Sequence, residues 1–179
     1  TALLARLGRY GPGQVQAVGE IDLAEIARRV ERRFAATHPV TLTAARETPV
    51  LADAEGLEQA LIHLVQNAVD ASEPDAPIYL TIASEPLLGR LDIIDGGCGM
   101  SPEFVRTGLF KPFVSSKKGG FGIGAFEARE MIKAMGGRLQ VESREGVGTR
   151  FSVLLPTPES AHVLAEDGGD EQVQSRKVA

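Results

Sequence analysis

In LIHLVQNAVDAS, residues 61–72, polar and apolar positions recur with the period of a helix rather than a strand. At about 100° per residue, Leu57, Ala60, Leu61, Leu64, Val65 and Ala68 gather on one side of that helix. Gln59, His63, Gln66, Asn67 and Asp70 share a narrow stripe on the other. The spacing predicts a helix over 55–72 that ends before Pro74, because proline disfavours a helical residue ahead of it. Polar stripes on amphipathic helices ordinarily face water. The rest of the chain decides whether this one does.

Upstream, TALLARLGRY places Leu3, Leu4 and Leu7 at helical spacing and breaks at GPGQ, as the last turns of a longer helix would. EIDLAEIARRVERRF, from Glu20, opens extended and turns helical, with Asp22 as its N-cap. PVTLTA and PVLAD are short β-branched runs, hence strands. Downstream, IYLTIAS and RLDIID are two more strands, the second apolar enough to be central. A long glycine-rich segment follows Asp95, with room for one helical turn. AFEAREMIKAM is a helix closed by Gly136 and Gly137, and RLQVES and TRFSVLL form a hairpin across REGVG. The tail beyond Pro156 is polar and aperiodic and is expected to be mobile. This order predicts an α+β fold, a mixed, largely antiparallel sheet with helices on one face, rather than a doubly wound parallel sheet.

The chain has 179 residues, enough for one domain with flanking segments. Its net charge of −5 and the lack of a basic, aromatic-interleaved stretch argue against nucleic acid as a partner. The single cysteine, Cys98, permits no internal disulfide, and with His38, His63 and His162 it forms no zinc-like spacing. No run of about 18 apolar residues and no signal-peptide pattern are present.

Two glycine clusters bracket the long loop. GGFGIGA, residues 119–125, matches the dinucleotide fingerprint in form, but KPFVSSKK stands where that motif needs a buried strand, and no Walker A sequence follows. Glycines directly ahead of a helix let backbone N–H groups approach an anion at the positive helix end. Gly120, Gly122 and Gly124, with Lys117 and Lys118 beside them, are therefore expected to cradle phosphates. The other cluster, Asp95-Gly96-Gly97-Cys98-Gly99, ends a buried strand in a carboxylate that needs a fixed donor. An adenine amine is one such donor, which guanine replaces with an acceptor; the turn's own backbone N–H is another.

HLVQNAVDA, DGGCGM, FKPF, GGFGIGA and GVGTRF occur in the order of the N, G1, F, G2 and G3 boxes. Together, over residues 20–156, they resemble the ATP-binding catalytic domain of a sensor histidine kinase, in the superfamily that holds gyrase B, Hsp90 and MutL. NAVDA and GFGIGA look closest to kinases of the PEP-CTERM exosortase branch.

The resemblance implies a two-layer Bergerat fold that binds Mg·ATP and passes the γ-phosphoryl group to a histidine on an upstream dimerisation domain. Residues 1–19 would then be the end of the dimerisation helix with a linker, and 157–179 a flexible tail. No histidine here has the acceptor's sequence surroundings, so the fragment alone is expected to autophosphorylate poorly. The polar stripe would turn toward the triphosphate, with Asn67 ligating Mg²⁺, as suits a hard cation that keeps mostly water and phosphate ligands. Asp70 would be a partner for metal-bound water where many relatives have a basic residue, and Ala71 would lie at the same wall. Asp95, Gly97, Gly99, Met100, Ile123 and Thr149 would surround the base. His63 stands where many relatives have asparagine and the ATP-hydrolysing members glutamate. It either deprotonates or orients an incoming imidazole, or is a satisfied histidine at the pocket wall. Phe110 and Phe113 flank Pro112 as lid anchors or as core residues. The implied partners are ATP, the dimerisation domain in a homodimer and, indirectly, a response regulator; the implied location is cytoplasmic, in a parent that can be anchored in the bacterial inner membrane. Two rival activities share the pocket, an ATP-gated clamp of the gyrase B or MutL type and an anti-sigma serine kinase, and each is expected to carry an acidic residue at position 63.

Overall fold

A computed structural model of the chain describes residues 18–43, 46–115 and 122–161. In chain order the elements are β1 (Gly19–Asp22), α1 (Leu23–Phe34), β2 (Val40–Thr43), β3 (Pro49–Ala52), α2 (Ala54–Ala71), β4 (Ile78–Ser84), β5 (Leu88–Asp95), α3 (Pro102–Thr107), α4 (Gly124–Ala134), β6 (Arg138–Arg144) and β7 (Gly148–Pro156). Five strands form one mixed sheet in the order β2-β4-β5-β7-β6. Only β2 and β4 run parallel in it, starting from Val40 opposite Ile78; the other neighbours are antiparallel. The expected sheet is thus present. An additional two-stranded ladder, β1 with β3, holds Gly19 opposite Ala52.

Local signals explain where the helices start and stop. Asp22 caps α1, its Oδ1 accepting from the Ala24 N–H at 3.0 Å. The same oxygen accepts from the Thr48 N–H at 2.9 Å, tying the helix start to the approach to β3. Asp53 caps α2 by accepting from Glu55 N–H, and at the other end Ser72 donates its hydroxyl to the Ala68 carbonyl. Helix α4 ends in a full Schellman motif: Gly136 takes φ 80°, its N–H bonds to Lys133 O, and the Gly137 N–H bonds to Ile132 O.

The core lies between the sheet and helices α1, α2 and α4. Leu23, Leu57, Leu61, Leu64, Ile78, Leu80, Leu91, Ile93, Ile132 and Leu155 are fully buried in it. Truncating one of these leucines to alanine costs about 2–5 kcal/mol, so the apolar side of α2 fixes that helix firmly on the sheet. Its polar side is thereby presented in a single orientation. Beyond Pro156, where the sequence suggests a tail, Thr157 is buried and donates its hydroxyl to Pro86 O. Ser160 bonds back to Thr157, so the hydrogen-bonded chain runs several residues further. Residues 162–179 and the helical pattern expected in TALLARLGRY lie outside the described residues.

Candidate nucleotide site

The end of the sheet assembles the first half of the site. In register, Asp95 of β5 faces Thr149 of β7, and Thr149 faces Ser143 of β6, giving three polar side chains in a row on three adjacent strands. Asp95 and Thr149 are each only 6% exposed. The Asp95 Oδ1 accepts from the Gly97 N–H at 2.9 Å, so the carboxylate caps its own turn. An ionised carboxylate accepts several hydrogen bonds at once, which makes turn capping compatible with gripping a base.

Ser143 is one residue that sequence reasoning missed. Its Oγ accepts from the Met100 N–H at 2.9 Å, donates to Gly148 O at 3.1 Å and lies 2.8 Å from Thr149 Oγ1. A hydroxyl has a single proton; with that proton on Gly148 O, the Thr149 hydroxyl must be the donor in the Ser143–Thr149 bond. Thr149 then keeps acceptor capacity. No motif marks Ser143, because only the β6–β7 register brings it beside Thr149.

Glycines let these segments close up. Gly148 has φ 135°, and a Cβ on it would stand 2.0 Å from Asp95 O; one on Gly99, at φ 64°, would stand 2.0 Å from Arg144 O. Gly97 approaches the carbonyl of Ala71, which also accepts the Cys98 N–H at 3.0 Å. The loop after β5 is therefore fastened both to the β6–β7 turn, where Gly146 N–H meets Cys98 O, and to the last turn of α2. Met100 packs against the core from this loop.

The second half comes from α2 and α4. Asn67 lies four residues ahead of Ala71, roughly 6 Å back along the helix axis. A Cβ on Gly124, the first residue of α4, would lie 3.5 Å from Asn67 Oδ1 and 3.9 Å from His63 Cβ, so the two polar residues face the start of α4. His63 Nδ1 is 3.4 Å from Glu127 Oε2 in the first turn of α4, a carboxylate that the sequence patterns did not single out. The polar stripe of α2 is thus split. His63 and Asn67 turn toward α4, while Gln59, Gln66 and Asp70 are exposed and Gln66 donates to Asp70 at 2.7 Å.

Around the long loop, Gly122 takes φ 64° and its carbonyl accepts the Phe113 N–H at 3.1 Å. A Cβ on Gly122 would meet the Val114 backbone, so this glycine serves a close chain approach. Ile123 precedes α4 and accepts the Glu127 N–H at 2.8 Å. The two phenylalanines differ. Phe110 packs against the core with the Arg129 guanidinium 4.7 Å from its ring centre, and Phe113 is 61% exposed at φ 65°. Lys117, Lys118 and Gly120 lie outside the described residues.

Among solved structures, the fold matches the catalytic domain of the histidine kinase ThkA with a TM-score of 0.68 and 28% identity, over 81% of this chain and 99% of that one. It also matches the mycobacterial sensor histidine kinase MprB at a TM-score of 0.64 and 27% identity, over 78% and 97%. The family described as "Histidine kinase-, DNA gyrase B-, and HSP90-like ATPase" matches residues 52–159, and the chain belongs to that family. Within it, this is a histidine kinase-type, ATP-binding catalytic domain. The sensory histidine kinase/phosphatase NtrB of Salmonella typhimurium is 36% identical over 115 residues, 58% of this chain and 32% of its own length. The circadian input-output histidine kinase CikA of Synechococcus elongatus is 32% identical over 111 residues, 59% of this chain and 15% of its own length. The chain spans a third or less of these curated relatives.

Proposed function

We propose that the chain binds Mg·ATP between the sheet end and the α2–α4 pair and transfers the γ-phosphoryl group to a histidine on a dimerisation domain of its parent protein. The observation that supports this is the Cys98 N–H to Ala71 O hydrogen bond at 3.0 Å, which fastens the loop after Asp95 to the last turn of α2, four residues past Asn67.

In this reading Asp95 accepts the adenine amine, and Thr149 accepts from the base through water. Gly97, Gly99, Met100, Ala71 and Ile123 form the walls. Gly124 opens α4 toward the triphosphate, with its helix N-terminus favouring negative charge, and Gly120, Gly122, Lys117 and Lys118 are the proposed phosphate contacts. Asn67 offers an amide oxygen, the hard donor type Mg²⁺ prefers. Mg²⁺ would be held mainly by phosphate and water, with one amide oxygen from the protein. Bound there, Mg²⁺ would neutralise charge on the transferring phosphoryl group. Asp70, three residues past Asn67 and accepting from Gln66, would be the partner for metal-bound water.

The acceptor is a histidine outside the described fold: His38 is buried against Ala76 O, and His63 belongs to the site. We place the domain in the cytoplasm as part of a homodimeric kinase serving a response regulator. Among the described residues no helix is long and apolar enough to cross a membrane.

Mixing this chain with a separately produced dimerisation domain and γ-labelled ATP tests the proposal. Acid-labile, alkali-stable label on the partner is the expected result. Acid-stable label, or release of phosphate with no labelled partner, would favour the serine kinase or the clamp instead.

A further inference from the structure

We infer that Arg129 is a positioning residue for the phosphate end of the site: from α4 it fastens the FKPF segment, residues 110–113, in the place where that segment meets Gly122; this rests on the nucleotide-binding role proposed above. The Arg129 guanidinium lies 4.7 Å from the centre of the Phe110 ring, and its Nη2 is 3.5 Å from Phe110 O. Its Nε donates to Glu130 Oε1 at 3.3 Å, and the side chain is 27% exposed. One side chain thus touches both the ring and the carbonyl of a single residue.

These contacts close a circuit. Phe110 sits between two turns, since Lys111 N–H donates to Gly108 O and Val114 N–H to Lys111 O. Three residues on, Phe113 holds φ 65°, a region where a residue with a side chain is strained and stays only if its surroundings hold it. Its N–H donates to Gly122 O, two residues ahead of Gly124 at the start of α4. The segment is therefore tied at both phenylalanines, by Arg129 at Phe110 and by Gly122 at Phe113. Helix α4 is a firm base for the first tie, because its Ala125, Ala128, Met131 and Ile132 are buried in the core. A guanidinium is planar with donors along its edge, so it can stack on a ring and still direct an N–H to a carbonyl; a lysine ammonium is a point charge without that fork. In the reading above, Gly122 and Gly124 act on the phosphates, whereas Asp95 and Thr149 act on the base. A residue that fixes the approach to Gly122 therefore bears on the phosphate chain alone.

Amide hydrogen exchange on the full 179-residue chain labelled with ¹⁵N reads the tie directly. In Arg129→Met the Phe113 N–H is expected to exchange about 3- to 30-fold faster, the factor that loss of one cation–π contact supports. The Gly137 N–H, bonded to Ile132 O at the far end of α4, should keep its rate and so reports an intact helix. Arg129→Lys should fall between parent and methionine variant, and it serves alone if the methionine disturbs the fold. Titration of the same samples with ATP should show affinity lowered by a similar factor, while adenosine, which lacks the phosphates, should bind as it does to the unaltered chain. An unchanged Phe113 rate, acceleration of Gly137 by the same factor, unchanged ATP affinity, or equal losses for ATP and adenosine each overturns the inference. If the unaltered chain binds no ATP, the proposed function fails, whereas the exchange measurement still decides whether Arg129 fastens the segment.

Discussion

Asp95 and Thr149 stand directly opposite each other on antiparallel strands β5 and β7, both almost fully buried at the end of the sheet. One offers a carboxylate and the other a hydroxyl whose proton is directed to Ser143. The pair presents acceptors side by side, which fits a purine edge that donates and repels one that accepts in the same place. Asp95→Asn should therefore lower ATP affinity by about tenfold or more, equivalent to about 1.4 kcal/mol, and narrow the preference for ATP over GTP. Calorimetric titration with both nucleotides checks this, and unchanged selectivity would count against the base-gripping role.

Asn67 turns toward the start of α4 and is proposed to supply the oxygen for Mg²⁺. Asn67→Ala should remove the part of nucleotide affinity that depends on the metal and leave the metal-free part intact. Titrations with Mg²⁺ and with a chelator should differ for the unaltered chain and coincide for the variant.

Ser143 holds three partners with one hydroxyl. Ser143→Ala strands the Met100 N–H and disorients Thr149, at a cost of about 1–3 kcal/mol for unsatisfied buried groups. Urea unfolding should show that loss, and ATP affinity should fall with it although the side chain need not touch the ligand. A variant as stable as the parent would show that the network is dispensable.

Gly148 combines φ 135° with a site where a Cβ would overlap Asp95 O. Gly148→Ala forces β7 away from β5 at the position of Asp95 and Thr149, and strain of this kind costs about 1–3 kcal/mol before the overlap is counted. For a domain of this size each 1 kcal/mol lowers the melting temperature by roughly 2–4 °C. Scanning calorimetry should therefore find a drop of several degrees, together with weakened nucleotide binding.

The helices were legible because their signals are local: Asp22 and Asp53 cap, Gly136 and Gly137 terminate, and the apolar face of α2 repeats every three to four residues. The mixed sheet followed from element order. The β1–β3 ladder did not, because pairing Gly19 with Ala52 is a long-range choice that four-residue strands cannot announce. Ser143 and Glu127 escaped for the same reason. Each acquires its partner only after strands or helices distant in sequence are packed together, whereas His63, Asn67 and Asp95 sit in patterns visible along the chain. The polar stripe of α2 looked uniform, yet packing against α4 gave its two halves different surroundings.

The meeting of Phe113 N–H with Gly122 O makes a closed neck whose two strands of chain already touch. Extra residues spliced between them would add only slowly growing closure entropy, about 0.6 kcal/mol for each doubling in length. The neck is accordingly a natural port for grafting a fluorescent reporter without prising apart the body of the domain.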